Sequence, residues 1–170
     1  LWTTVGKSTF VKGVFSVEPG CYMFVSKNKR EEHCKYWDLQ FSEPDSHWSS
    51  EDASEAVREA IANSVAFQRQ SDVGVNTYLS GGVDSCILQS VLTEQIGHDF
   101  KSYSIKFADQ YFDESGPQQV LSEITGVRNR SILVSAKDVA KNFESTIWHV
   151  EQPIFRTAPV PMMMLSALVR

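Results

Sequence analysis

The chain has 170 residues, 42% hydrophobic and 22% charged, enough for one sizeable core and too few for two full catalytic domains. Sixteen basic against 21 acidic side chains leave a net charge of −5, the opposite of a nucleic-acid footprint, and no apolar run approaches the ~18 residues of a membrane span. Three cysteines without a CxxC pair exclude a disulfide framework and a thiolate zinc site, and point to the cytosol.

Residues 1–41 read as strands and turns. Val11 to Val17 alternates weakly, Glu18-Pro19-Gly20 signals a turn, and Cys21 to Val25 is rich in β-formers. Ser26 to Glu32 is polar, and Tyr36 to Phe41 resumes an apolar pattern expected to pair as a hairpin or sheet margin. Ser42 to Ser50 is the linker candidate. The pattern then changes. Ser49 with Asp52, or Ser50 just behind it, is suited to cap a helix, and Ala53, Ala56, Val57, Ala60, Ile61 and Val65 recur at helical spacing to about Gln70.

Val73 to Leu79 is a buried-strand candidate, followed by an apolar helix closed by Gly97. Lys101 to Phe107 alternates as a strand. A helix opens near Ser115, carries Pro117 in its first turn and stops at Gly126. Ser131 to Val134 is a short strand, Ser135 caps a further helix, and Met162 to Val169 begins another. Three strand–helix alternations predict an α/β fold with a doubly wound parallel sheet. Such a sheet places ligands at the carboxyl ends of its strands, so the turn from Leu79 to Ser85 is where a site is expected.

That turn reads Leu79-Ser80-Gly81-Gly82-Val83-Asp84-Ser85. Two glycines let backbone N–H groups converge, Ser80 and Ser85 add hydroxyls, and a helix start adds partial positive charge. Together these suit phosphate oxygens. The turn lacks the lysine of a Walker A loop and is not GxGxxG. Asp84 beside a phosphate would repel it unless a Mg²⁺ bridged the two. The bland alternative is a tight turn with Asp84 compensating a helix dipole; the complete spacing between strand and helix weighs against it.

Leu79 to Ser85 resembles the pyrophosphate loop of the ATP pyrophosphatases, whose sheet is of the adenine-nucleotide alpha-hydrolase type. Its surroundings resemble glutamine-dependent asparagine synthetases: Ser71 to Tyr78, Ser102 to Phe107 with Phe112-Asp113-Glu114, Trp148 to Pro153, Pro159 to Ser166, and Tyr36-Trp37-Asp38 at the end of a glutaminase domain. The resemblance implies a ligase that adenylates a carboxylate such as aspartate with ATP and Mg²⁺, releases pyrophosphate, and transfers ammonia from glutamine. It implies that Ser80, Gly81, Gly82, Val83 and Ser85 cradle pyrophosphate, that Asp84 is the Mg²⁺ ligand, and that Leu79 and Ile105 frame adenine, although Ile105 reads equally as an ordinary core residue of its strand.

It further implies that residues 1–48 are the tail of a glutaminase domain with its linker, and 49–170 the first part of a synthetase domain. The family's glutaminase nucleophile is an N-terminal cysteine whereas residue 1 here is Leu, and the family's second acidic motif is expected beyond Arg170. Partners are small molecules, with neither nucleic acid nor membrane, and a homodimer is left open. Other readings are a relative acting on another carboxylate, as in β-lactam or peptide-modifying synthetases, and a nucleotide-binding domain that has lost catalysis. Cys21, Cys86 and Met162 to Met164 read as packing residues, His149 as a packed or dipole-compensating histidine, Arg156 as a loop arginine equally suited to solvent or phosphate, and Lys27 to Arg30 as a solvated turn.

Overall fold

The computed structural model describes residues 4, 6–28, 31–41 and 48–170. The chain divides into two compact units, Leu1–Ser46 with Ile147–Arg156, and His47–Thr146 with Thr157–Arg170.

In the first unit β1 (Cys21–Val25) pairs antiparallel with β2 (Glu31–Lys35), Tyr22 opposite Cys34. The second strand thus begins in the polar stretch that ends at Glu32 and runs on to Lys35, and Tyr36 to Phe41, expected as a strand, carries no ladder. The reason is Gly20, whose left-handed φ of 68° turns its carbonyl to accept from both Tyr36 N and Trp37 N, at 2.9 and 3.2 Å. A Cβ there would lie 2.2 Å from the Trp37 carbonyl oxygen. Lys35 and Asp38 close the bend as an ion pair. Cys21 opens β1 half-buried and is not a core residue; none of the described residues from 4 to 41 is buried. Lys27 and Asn28 form a turn, while Lys29, Arg30 and most of the expected linker lie outside the described residues.

The second unit contains α1 (Ser50–Gln68), β3 (Thr77–Tyr78), α2 (Val83–Ile96), β4 (Lys101–Phe107), α3 (Ser115–Thr125), β5 (Arg128–Val134), the body of α4 (Ala136–Val150) and α5 (Pro159–Val169). Strands β3, β4 and β5 form a parallel sheet in that order, Tyr78 beside Tyr103 and Ile105 beside Ile132. Helices cover both faces, as a doubly wound α/β sheet requires. Thr77 hydrogen-bonds Gln89 of α2, which reaches Thr125 of α3, so these two helices share one face. On the other, Tyr78 Oη meets Ser166 Oγ of α5 at 3.3 Å.

The helix ends follow the sequence. Ser49 and Asp52 form a reciprocal capping box, and Gly126 ends α3 in the left-handed region. Ser135 and Asp138 cap one another at the start of α4; Ser135's hydroxyl, then its N–H, hold the Asp138 carboxyl below the usual carboxylate range. The core is Leu92, Phe100 and Val127, flanked by Val65 of α1 and Val75. Strand β3 is shorter than expected because Asn76 Oδ1, rather than a backbone carbonyl, takes the Lys101 N–H. Strand β5 is longer: Arg128, Asn129 and Arg130 are drawn in by pairing with Lys101 to Tyr103.

Candidate active site

Leu79 leaves β3 fully buried, its N–H donating to the Tyr103 carbonyl at 2.8 Å, which fixes where the turn begins. Gly81 has φ 85°, open to glycine at little cost. A Cβ on it would approach the Glu114 carbonyl oxygen to 3.0 Å and Pro117 Cβ to 3.4 Å. The turn therefore packs backbone-first against the start of α3, and only glycine meets both requirements.

The two serines brace the turn from inside. Ser80 N donates to Ser85 Oγ at 3.2 Å, Gly82 N donates to Ser80 Oγ at 3.2 Å, the two hydroxyls meet at 2.9 Å, and Ser85 Oγ donates to the Gly82 carbonyl at 3.0 Å. Among the described residues, nothing accepts from the N–H groups of Gly81, Val83 or Asp84. The serines thus spend their hydroxyls on the turn's own backbone and leave the first-turn amides of α2 outward, a ready-made anion seat. Gly82 is the N-cap and supplies no side chain to fill it.

Asp84 is exposed and makes no hydrogen bond or ion pair to any described residue. No group of three or more metal-ligating side chains converges among the described residues. A single uncommitted carboxylate beside free amides fits a Mg²⁺ shared with phosphate oxygens and water, and does not fit a self-sufficient metal cage.

Beside the turn lies a cavity of about 320 Å³ whose wall includes Leu79, Ser80, Ser85 and Ile105 with Tyr103, Phe107, Glu114 and Met162. The structure so gathers four of the expected site residues around one space. Gly81 and Val83 line a second hollow, between α1 and α2, together with Cys86. Cys86 is half-buried there among Val57 and Ile61.

Two features carry no signal in hydrophobic periodicity. Gln118, 2% exposed, donates through Nε2 to the carbonyls of Ile105 (3.2 Å) and Ser80 (3.5 Å), tying the ends of β4 and β3 to α3; its Oε1 is buried without a partner among the described residues. Asp113 accepts from Ser115 Oγ and from the Phe107 N–H; these bonds, the hydroxyl's first, hold its carboxyl below the usual range. That fixes the Asp113-Glu114 corner on which Gly81 rests. The Asp-Glu pair before a Pro-bearing helix was the available sequence signal. Among the weaker candidates, His149 and Arg156 are exposed, and Met163 and Met164 place their sulfurs against Thr146 and Asn142.

A parallel sheet covered on both faces, with a Gly-Gly turn at the carboxyl end of its first strand, defines an α/β protein whose site lies at that end. The chain belongs to the asparagine synthase family, whose model matches residues 56–170, the turn included. It is similar to "Amidase chry2" of Gibberella zeae, 30% identical over 88% of this chain and 25% of the relative, and to "Amidase chyE" of Penicillium rubens, 31% identical over 86% and 24%. It is also similar to "Asparagine synthetase [glutamine-hydrolyzing] 1" of Bacillus subtilis, 32% identical over 62% of this chain and 17% of the relative. The chain spans about a quarter or less of the length of these relatives. Among the described residues no helix is long and apolar enough to cross a membrane.

Proposed function

We propose that this chain carries the nucleotide-activating part of an ATP-dependent, amide-forming ligase, with residues 1–48 the end of a glutaminase domain and 49–170 the start of the synthetase domain. The observation that carries the reading is the braced turn: three free backbone amides and an uncommitted Asp84 beside the cavity that Leu79 and Ile105 line. In this reading a substrate carboxylate oxygen attacks the α-phosphorus of ATP and the bond to the β-phosphate bridge breaks. Pyrophosphate leaves into the amides of Gly81, Val83 and Asp84, whose positions Ser80 and Ser85 hold before the charge arrives. Asp84 would hold a Mg²⁺, which would supply positive charge for this departure. Ammonia, derived from glutamine in the leading form of the proposal, then attacks the acyl carbon and AMP departs.

Aspartate is the acceptor that the family name suggests. A relative acting on another carboxylate is favoured by a specific observation: two relatives named amidase match most of this chain at 30 and 31% identity, whereas asparagine synthetases that match as much of it are 23 and 28% identical. The test is ATP–pyrophosphate exchange by the full-length protein with Mg²⁺ and a panel of carboxylates, followed by product identification with glutamine or ammonia. Exchange that depends on aspartate and yields asparagine supports the first form, exchange with another carboxylate the second, and absence of exchange with every acid tried contradicts both.

A further inference from the structure

We propose that the amino-terminal edge of the parallel sheet is a second binding site, for a small multivalent oxyanion. A cavity of about 730 Å³ lies there, and its wall includes Arg69, Lys101, Arg128 and His98. That volume suits a small organic ligand.

Three observations point to an anion. Lys101 and Arg128 are the first residues of β4 and β5 and are direct register partners. Like charges side by side on adjacent strands repel, so the pairing is a cost that a bound counter-charge removes. Second, Arg69, Lys101 and Arg128 form no ion pair with any described residue, in a chain with net charge −5. Asp99 is the one carboxylate on the wall and pairs with none of them. Third, the wall has an apolar floor of Val75, Ile96 and Phe100, and Gly74 and Gly126 leave it open, with nothing within 4 Å of a Cβ at either. Two guanidinium forks and an ammonium over an apolar floor suit an organic ligand bearing two or more phosphate or carboxylate groups.

The competing account is compensation of helix dipoles, since α1 ends at Arg69 and α3 at Gly126. Each helix end offers only about half a negative charge, effective over its last turn. It requires no cavity and gives no anion-dependent change, which separates the two. By register Ser80 lies level with Ile105, four residues from Lys101, which puts this site about 13 Å along the strand from the Ser80 turn, so its failure leaves the proposed ligase activity untouched.

The experiment is hydrogen exchange by mass spectrometry with calorimetry on the full-length protein, using tripolyphosphate and citrate as separate probes. We expect slowed exchange in peptides bearing Asn76, Lys101 and Arg128, with tripolyphosphate, citrate or both naming the anion class. Lys101→Gln/Arg128→Gln should weaken that binding about tenfold or more, and the charge-preserving Lys101→Arg/Arg128→Lys should retain it. Should the double variant not fold, Arg69→Gln, outside any strand, is expected to weaken binding in the same sense. No protection with either probe, protection confined to residues 80–85, or binding unaffected by these charge removals would overturn the proposal.

Discussion

The two ends of the parallel sheet handle charge in opposite ways. At the amino end, cations on long side chains surround an open cavity with no carboxylate paired to them. At the carboxyl end no lysine or arginine among the described residues lines the cavity; the turn beside it offers backbone amides on a loop braced by two serine hydroxyls, and Asp84 and Glu114 are nearby negative charges. In the proposed reading a phosphate bound at the carboxyl end would meet preorganised dipoles, and the cation it needs would be the Mg²⁺ that the uncommitted Asp84 would hold. Salt should accordingly weaken anion binding at the amino end far more than at the braced turn.

Short of Asp84 itself, the largest effect is expected at Gly81. Gly81→Ala forces a Cβ into the left-handed region and against the Glu114 carbonyl, shifting the amides that the turn presents. Pyrophosphate exchange should fall about 10²-fold, with a stability loss of about 1–3 kcal/mol. Gly82→Ala has no such strain, since its Cβ would meet only Ser80 Oγ at 3.3 Å, and should cost clearly less. Equal losses at the two glycines would break the distinction between them.

Gln118→Leu tests whether the tie between strand ends matters. It strips the donor from the Ile105 and Ser80 carbonyls while removing a buried orphan oxygen, so a net destabilisation of about 1–3 kcal/mol is expected in urea unfolding. A smaller effect is expected for Asp138→Asn at the α4 cap, which follows the carboxyl end of β5 but lines neither cavity. Asp138's folded pKa is depressed, so its contribution is present above the ordinary carboxylate pKa of about 3.9 and is lost as pH falls through the lower folded value. The variant should melt earlier than the parent at pH 7 and converge with it in acid. Smallest of all is Cys86→Ala, in the hollow between α1 and α2, which should leave exchange within a few-fold of the parent.

Much of this architecture was legible because local signals agreed with one another. The Ser49–Asp52 box, Gly126 and the alternation of Tyr103, Ile105 and Phe107 each read correctly, and the turn from Leu79 to Ser85 stood out by spacing alone. What was hidden depends on pairing or on buried polar groups. Residues 31–35 are polar and become a strand only against β1, while the apolar Tyr36 to Phe41 is diverted by the Gly20 carbonyl. In α3 the polar Gln118 is buried and the apolar Ile124 is 75% exposed, the reverse of what hydrophobic periodicity suggests. Gln118 is buried because it finds two carbonyl acceptors at strand ends that sequence cannot bring together.

The central claim is that the carboxyl end acquires its positive charge through Asp84. The most direct measurement is ATP–pyrophosphate exchange by full-length Asp84→Asn as a function of Mg²⁺ concentration, with folding checked by circular dichroism. The substitution keeps size and helix start but removes the charge. Exchange should fall on the order of 10²–10³-fold, the loss typical of removing one such electrostatic contact, in a normally folded protein. Near-normal exchange at saturating Mg²⁺ would contradict the account and leave Asp84 as no more than a helix-dipole residue.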